Sequence, residues 1–177
     1  MTYICSRRQW LISLIPAVAC SRWVLAGAGP NKPMRGVFII MATPYTAAKE
    51  VDYEDLAREV DFLDRCKVHG MVWPQLASEY SRLTKEERLQ GMKILARAAA
   101  GKKPALVLGV QGRNTAEALE YLQCAEEASP DAVIAIPPTE AKSLDDFREY
   151  YTTLARKTKL PFFVQTTGGA PNIEPTV

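Results

Sequence analysis

The sequence is short of the residues that build metal centres and charged binding surfaces. It holds one histidine and four cysteines in 177 residues. The histidine, His69, precedes Gly70 at a helix end, where an imidazolium favours the macrodipole, and this capping role is preferred to a catalytic one. Cys66 and Cys124 fall in helical segments and are not spaced as a metal motif, so they read as two separate packing cysteines, and no metal site or cofactor is assigned. Charge of one sign is also lacking, with a formal net charge of only +2. A chain with no basic stripe gives no support for nucleic-acid binding. Gly109-x-x-Gly112 lacks the glycine and lysine pattern of a phosphate loop and reads as a tight strand-to-helix turn. No clean apolar run reaches the roughly 20 residues that a membrane-spanning helix needs.

What is present is a strand-then-helix pattern that recurs from Gly36 onward. The strand candidates are Val37 to Ala42, Met71 to Pro74, Ala105 to Val110, Ala132 to Ile136 and Phe162 to Gln165. All are short and apolar nearly throughout, which implies strands covered on both faces, as in a parallel sheet flanked by helices. Trp73 falls within the second strand and reads as core. Thr84-Lys85-Glu86-Glu87 is a capping box. Asp52, Asn114 and Ser143 are the other candidate caps, each with an acidic residue three positions on. Leu56, Val60 and Leu63, and likewise Phe147, Tyr151 and Leu154, supply one apolar face per helix. Alternating β and α units leave an α/β class with two architectures, a doubly wound open sheet or a (β/α)8 barrel. A barrel of about 250 residues averages roughly 31 residues per unit, close to the spacing here. Five units do not close one, so the expectation is a partial (β/α)8 TIM barrel whose first and fifth strands are open edges.

Residues 1–28 read as a separate segment. Ser6-Arg7-Arg8-Gln9-Trp10-Leu11 is followed by an apolar stretch to Cys20 and by Ala26-Gly27-Ala28, a small-residue cleavage site. This is the layout of an export signal of the twin-arginine type. Arg22 and Pro16 interrupt the stretch and argue against an anchor. A variant reading makes Cys20 a lipid attachment site. The body, residues 29–177, is then expected to be periplasmic or extracellular. Losing the segment removes three arginines and no acid, which takes the formal charge from +2 to −1.

The body carries a run of short motifs in register. Ala42-Thr43-Pro44-Tyr45, Val51-Asp52, Glu79 with Leu83, Thr84-x-Glu86-Glu87-Arg88, Gly109 with Thr115-x-Glu117-Ala118, Asp131-Ala132-Val133 and Pro137-Pro138 resemble the dihydrodipicolinate synthase and N-acetylneuraminate lyase family in order and spacing. The resemblance implies a (β/α)8 barrel of the aldolase superfamily and Schiff-base chemistry on pyruvate or a related 2-oxo acid. There a lysine amine attacks the ketone and the protonated imine serves as an electron sink. That lysine must be largely neutral, through desolvation or a cationic neighbour. In the family it lies on the sixth strand, which by this alignment falls beyond Val177. Lys67, Lys85, Lys93, Lys102, Lys103, Lys142, Lys157 and Lys159 fall on helices or connections, and Lys32 and Lys49 are placed in equally solvated surroundings. The chain therefore reads as a family member truncated before its catalytic lysine and inactive alone. Family members commonly form homo-oligomers.

The strand-end positions depart from the family pattern. Gly-Thr-Thr-Gly-Glu after the second strand becomes Gln75-Leu76-Ala77-Ser78-Glu79, so carboxylate binding would rest on backbone groups, Gln75 or Ser78. The Pro-Tyr-Tyr after the fourth strand becomes Pro138-Thr139-Glu140, and Glu140 is a candidate proton-exchange group whose alternative is a solvated loop glutamate. Tyr-Asn-x-Pro after the fifth strand becomes Gln165-Thr166-Thr167-Gly168. The candidate substrate-binding residues are Thr43, Gln75, Ser78, Glu79, Gln111, Thr139, Gln165 and Thr166. An alternative function on the same fold is a non-catalytic exported protein that binds a small molecule or a partner.

Overall fold

A computed structural model describes residues 32–171 and Ile173. The expected export segment lies outside the described residues. Five parallel strands form one sheet in sequence order: β1 (Phe38–Ile40), β2 (Gly70–Trp73), β3 (Ala105–Gly109), β4 (Ala132–Ala135) and β5 (Phe162–Val164). Each expected strand is present at its place. Four helices alternate with them: α1 (Tyr53–Arg65), α2 (Lys85–Ala99), α3 (Thr115–Ala128) and α4 (Leu144–Lys157).

The helices begin where local chemistry satisfies their first N–H groups. The Asp52 carboxylate accepts from the amides of Glu54 and Asp55, and the Asn114 side chain accepts from Glu117 N–H. Thr84 with Glu87, and Ser143 with Asp146, form reciprocal capping boxes. Such caps are worth about 1 kcal/mol each, and here they also fix where each helix leaves the strand-end loop.

Apolar periodicity then decides which face each helix lays down. Leu56, Val60 and Leu63 of α1 are buried as the spacing predicts. On α4 the buried set is Phe147, Tyr150 and Leu154, with Tyr151 only partly covered, so the face is turned by one position from the expected one. The reason is a specific partner for each phenol. Tyr150 hydroxyl accepts from Gly112 N–H at 3.3 Å, while Tyr151 reaches sideways to donate to Gln165 O at 2.6 Å. The helix-facing side of the sheet, including Met71, Trp73, Leu106, Leu108 and Val133, belongs to one continuous core with these helix residues.

The opposite side of the sheet has a smaller apolar cluster of Val72, Val107 and Ala132, with Met34, Phe38, Ile134 and Phe163 packed on it. Phe38 belongs to the first strand and Phe163 to the fifth, yet their ring centroids are 5.5 Å apart. In a flat sheet four strand spacings would separate them by roughly 19 Å. The sheet is therefore curled into an arc with these rings on its inner side, which is the curvature of a barrel wall and not of a doubly wound sheet.

Three sequence expectations change on this fold. His69 is not in the last turn of a helix: α1 closes at Cys66, and the His69 Nδ1 accepts the N–H of Val37 at 3.0 Å beside the start of β1. Lys32 is not solvated. Its Nζ is 2.9 Å from Pro104 O and 3.0 Å from Asp131 Oδ2, and the same carboxylate oxygen accepts Leu106 N–H at 2.8 Å. It ties the segment before β1 to the N-terminal ends of β3 and β4. Cys66 is exposed at the end of α1, so it does not act as a packing residue; both Cys66 and Cys124 are free thiols.

Gly91 on α2 marks a tight helix-to-sheet contact, because a Cβ there would come within 2.3 Å of the fully buried Trp73 ring. Gly91→Val is expected to lower stability by about 2–3 kcal/mol through overpacking. A urea titration should show the midpoint falling with an unchanged slope.

Candidate functional site

Parallel strands place all five C-terminal ends at one end of the sheet, where the β–α loops gather and where barrel chemistry is assembled. The loops after β1 and β2 are joined by hydroxyls. Thr43 Oγ1 accepts the indole N–H of Trp73 at 3.0 Å and donates to Ser78 O at 2.6 Å. Ser78 Oγ accepts Gln75 N–H at 3.0 Å and donates to Met41 O at 2.6 Å. Both hydroxyls are thus committed within the protein. They hold residues 75–79 in a compact turn that ends with Glu79 in the left-handed region, φ 54°.

A second bracket joins the loops after β2 and β3. Gln111 Nε2 donates to Pro74 O at 2.8 Å, and Gln75 Nε2 donates to Gln111 Oε1 at 3.1 Å. Both amides are fully buried, and Gln75 Oε1 has no partner among the described residues. Glycine is required at position 109, since a Cβ there would sit 2.0 Å from Pro74 O. Gly112 has a similar constraint, with Ala118 N 2.6 Å from its missing Cβ, which confirms the tight strand-to-helix turn.

Arg88, on the inward face of α2, is only 3% exposed. Its Nη2 donates to Gly109 O at 3.2 Å and to Gln111 O at 3.0 Å, and the guanidinium lies 3.5 Å from the centroid of the Tyr121 ring. Burial pulls its pKa down, and among the described residues no carboxylate pairs with it directly. Two carbonyls and a ring face take the place of a counter-ion. The sequence carries a signal for this beyond the motif: Arg88 occupies the same stripe as Met92, Leu95 and Ala99, where a charge points to a partner inside. A cleft of about 370 Å³ opens beside it, with Tyr80, Arg113 and Thr139 in its walls.

The ends of β4 and β5 are more open. Thr139, Glu140 and Thr166 are exposed, and Gln165 is half-buried. Glu140 is a surface loop residue whose carboxylate accepts Asn114 Nδ2 at 2.7 Å. Gln165 Nε2 turns back to Thr167 O and Oγ1, both at 3.3 Å. Glu79 is exposed beside Arg82, 3.6 Å away. The two nearby phenols are not ready proton carriers, because burial raises the pKa of Tyr150 and of Tyr151 well above the usual tyrosine value. The structure therefore divides the candidate residues. Thr43, Gln75, Ser78 and Gln111 form one hydrogen-bonded frame, whereas Glu79, Thr139, Gln165 and Thr166 stand around it with polar atoms exposed or half-exposed.

Among the described residues no lysine lies on a strand or in the turn directly after one. Lys103, Lys67 and Lys159 precede β3, β2 and β5 at their N-terminal ends, and Lys142 follows β4 only at the exposed entry to α4.

Comparison with known proteins gives one result. Residues 33–169 match the model of the Dihydrodipicolinate synthetase family. The chain is 31% identical over 143 residues to the 4-hydroxy-tetrahydrodipicolinate synthase of Haloarcula marismortui, covering 79% of this chain and 46% of that protein. It is 28% identical over 127 residues to the corresponding enzyme of Brachyspira hyodysenteriae, covering 71% and 43%. Among solved structures, YagE of E. coli K12, a prophage protein of the dihydrodipicolinic acid synthase family in complex with pyruvate, superposes with a TM-score of 0.69 at 25% identity over 74% of this chain and 44% of that one. The chain spans about half the length of the curated relatives it matches.

Replacing Arg88 tests how far the frame depends on it. Arg88→Met keeps the stem but leaves the carbonyls of Gly109 and Gln111 without their donor, at about 1–3 kcal/mol for each buried group. The loss of a desolvated charge offsets part of this, so the expected cost is about 2–4 kcal/mol by chemical denaturation. Hydrogen exchange at residues 109–112 should accelerate more than at β4.

Proposed function

The chain belongs to the dihydrodipicolinate synthetase family, and from that premise we propose that it supplies the first five β/α units of a Schiff-base 2-oxo-acid lyase of the aldolase type. The observation that carries this reading is the family match across residues 33–169, taken together with five parallel strands in sequence order on a barrel-like arc. The pyruvate bound to the similar YagE supports a small 2-oxo acid as the ligand class.

In this reading the residues described here form the wall of the site and not its reactive centre. The reaction begins when a neutral amine attacks the ketone, and it needs that amine at a strand end. The amine comes from chain beyond the fifth strand, as the family resemblance implies, and these residues alone are inactive. Thr139 and Thr166 offer exposed hydroxyls to the ligand, and Gln165 and Glu79 would turn from Thr167 and Arg82 to reach it. Thr43, Gln75, Ser78 and Gln111 contribute by holding the loops after β1, β2 and β3 in place. Glu140, bound to Asn114 and exposed, stays a solvated glutamate.

A second reading, a non-catalytic protein that binds a small molecule, is favoured by one observation. At the end of β2 the family's paired threonine hydroxyls are replaced by Leu76 and Ala77, and the hydroxyls of Thr43 and Ser78 and the side-chain nitrogen of Gln75 are bonded within the protein. For either reading we propose export by the twin-arginine segment at residues 1–28, with Cys20 as an alternative lipid site, and a periplasmic or extracellular location. Self-association is proposed from the family's habit. Among the described residues no helix is long and apolar enough to cross a membrane.

Borohydride trapping with pyruvate, read by intact mass on the purified chain, tests the proposal. No covalent adduct is expected. A stoichiometric adduct mapped to one of the lysines present here would overturn the assignment of the amine to chain beyond β5.

A further inference from the structure

We propose that His69 is a pH-sensitive latch on the first strand: the neutral imidazole pins the start of β1 to β2, and protonation of the ring as the pH falls from 8 to 5 releases it. The inference concerns the N-terminal end of the sheet and stands apart from the 2-oxo-acid reading above.

β1 is an edge of the sheet and only three residues long. Its far end is held by Met41, whose N–H donates to Val72 O at 3.0 Å and whose carbonyl accepts Ser78 Oγ at 2.6 Å. At its start, Val37 O accepts the N–H groups of both His69 and Gly70, at 3.0 and 3.1 Å. The Val37 N–H donates not to a backbone carbonyl but to His69 Nδ1, at 3.0 Å. A side chain thus takes the place of a ladder acceptor. The chain is shaped to admit that ring: Gly36 has φ +102°, and a Cβ there would lie 2.4 Å from His69 Cγ. Only a bare backbone at position 36 lets the imidazole close on Val37.

Nδ1 accepts this bond only while it carries no proton, which makes His69 the neutral Nε2–H tautomer in this contact. A proton on Nδ1 would set two N–H groups against each other, so the bonded arrangement and the imidazolium exclude one another. The surrounding segments offer the imidazolium no substitute partner. Lys32 and Arg35 precede β1, Arg65 and Lys67 lie at the end of α1 and on the turn after it, and Lys102 and Lys103 precede β3. The carboxylates there are engaged: Asp61 with Lys102 at 2.6 Å, Asp64 with Lys103 N–H at 3.1 Å, and Asp131 with Lys32 at 3.0 Å. The latch is therefore closed on the alkaline side and opens as the pH falls. Because only the released ring takes the proton, the released share grows about thirtyfold relative to the bonded one between pH 8 and pH 5, for a free imidazole that titrates at about 6.5.

His69 is the only histidine in the chain, so its ring signals are unambiguous. The test is an NMR titration of the isotope-labelled chain from pH 8 to pH 5. It follows the ring nitrogens, the amide shifts, and the hydrogen exchange of Val37 corrected for its intrinsic pH dependence. At pH 8 the ring is expected as the Nε2–H tautomer. The Val37 amide shift is expected to move with the same midpoint as the ring, and its protection to fall about thirtyfold. The amides of Met41 and Val133 should keep theirs. His69→Asn offers an uncharged oxygen acceptor and should remove the pH dependence, whereas His69→Ala should leave Val37 unprotected at every pH. An Nδ1–H tautomer at pH 8, or a Val37 amide that stays unchanged while the ring titrates, would overturn the latch. The same response in His69→Asn would assign it to another group and overturn the latch equally. If the variants fail to fold, the tautomer and the Val37 response of the unaltered chain still decide.

Discussion

Phe38 and Phe163 touch only because the sheet between them is bent, and every feature of the candidate site depends on that bend. Parallel strands twist and coil as a consequence of backbone chirality, and helices packed on one side force the arc to close toward the other. The inner side carries aliphatic groups, Val72, Val107, Ala132 and Ile134, in one cluster with the two rings. On a flat sheet the loops after β2 and β5 would stand too far apart for Leu76 to reach the backbone of Gly168. The curl brings them together, so a property of the core decides which residues meet at the strand ends.

Above the bend, the loops are held mainly by neutral hydrogen bonds between buried groups. Thr43, Trp73, Ser78, Gln75 and Gln111 form a chain in which nearly every donor finds an acceptor. Such networks are stiff when complete, since any departure leaves a buried polar atom unpaired at about 1–3 kcal/mol. Arg88 extends the chain from the helical layer. It enters between Tyr121 and the carbonyls of Gly109 and Gln111, and it fixes the end of β3 from outside the sheet while Gln111 fixes it from the loop. Gln111 thus accepts from the charged anchor through its backbone carbonyl and grips the end of β2 through its side-chain amide.

The strands were legible because buried parallel strands leave unbroken apolar runs, and the helix starts were legible because caps are local. Asp52, Thr84, Asn114 and Ser143 all act where their spacing placed them. Phase along a helix is less local: Tyr150 and Tyr151 are chemically alike, and only their partners, Gly112 and Gln165, decide which goes inward. The roles of His69 and Lys32 were hidden for the same reason. Their partners, Val37 for one and Pro104 with Asp131 for the other, are distant in sequence or belong to the backbone, which carries no side-chain signature. At the site, the family pattern showed which residue types had changed. It did not show that Gln75 and Gln111 would bind each other.

That pairing bears on why the exchange of glycine and threonine for glutamine, leucine and alanine leaves the loop intact. A glycine-rich loop offers backbone N–H groups to a ligand, and its threonines add hydroxyls that are free to turn. Here Gln75 fills the space that a glycine would leave, and Gln111 supplies a partner for its Nε2, while its Oε1 has none among the described residues. Leu76 and Ala77, whose side chains carry no polar atom, are exposed. Polar capacity has moved from the surface of the loop into its support. The loop is consequently shaped by hydrogen bonds made within the protein.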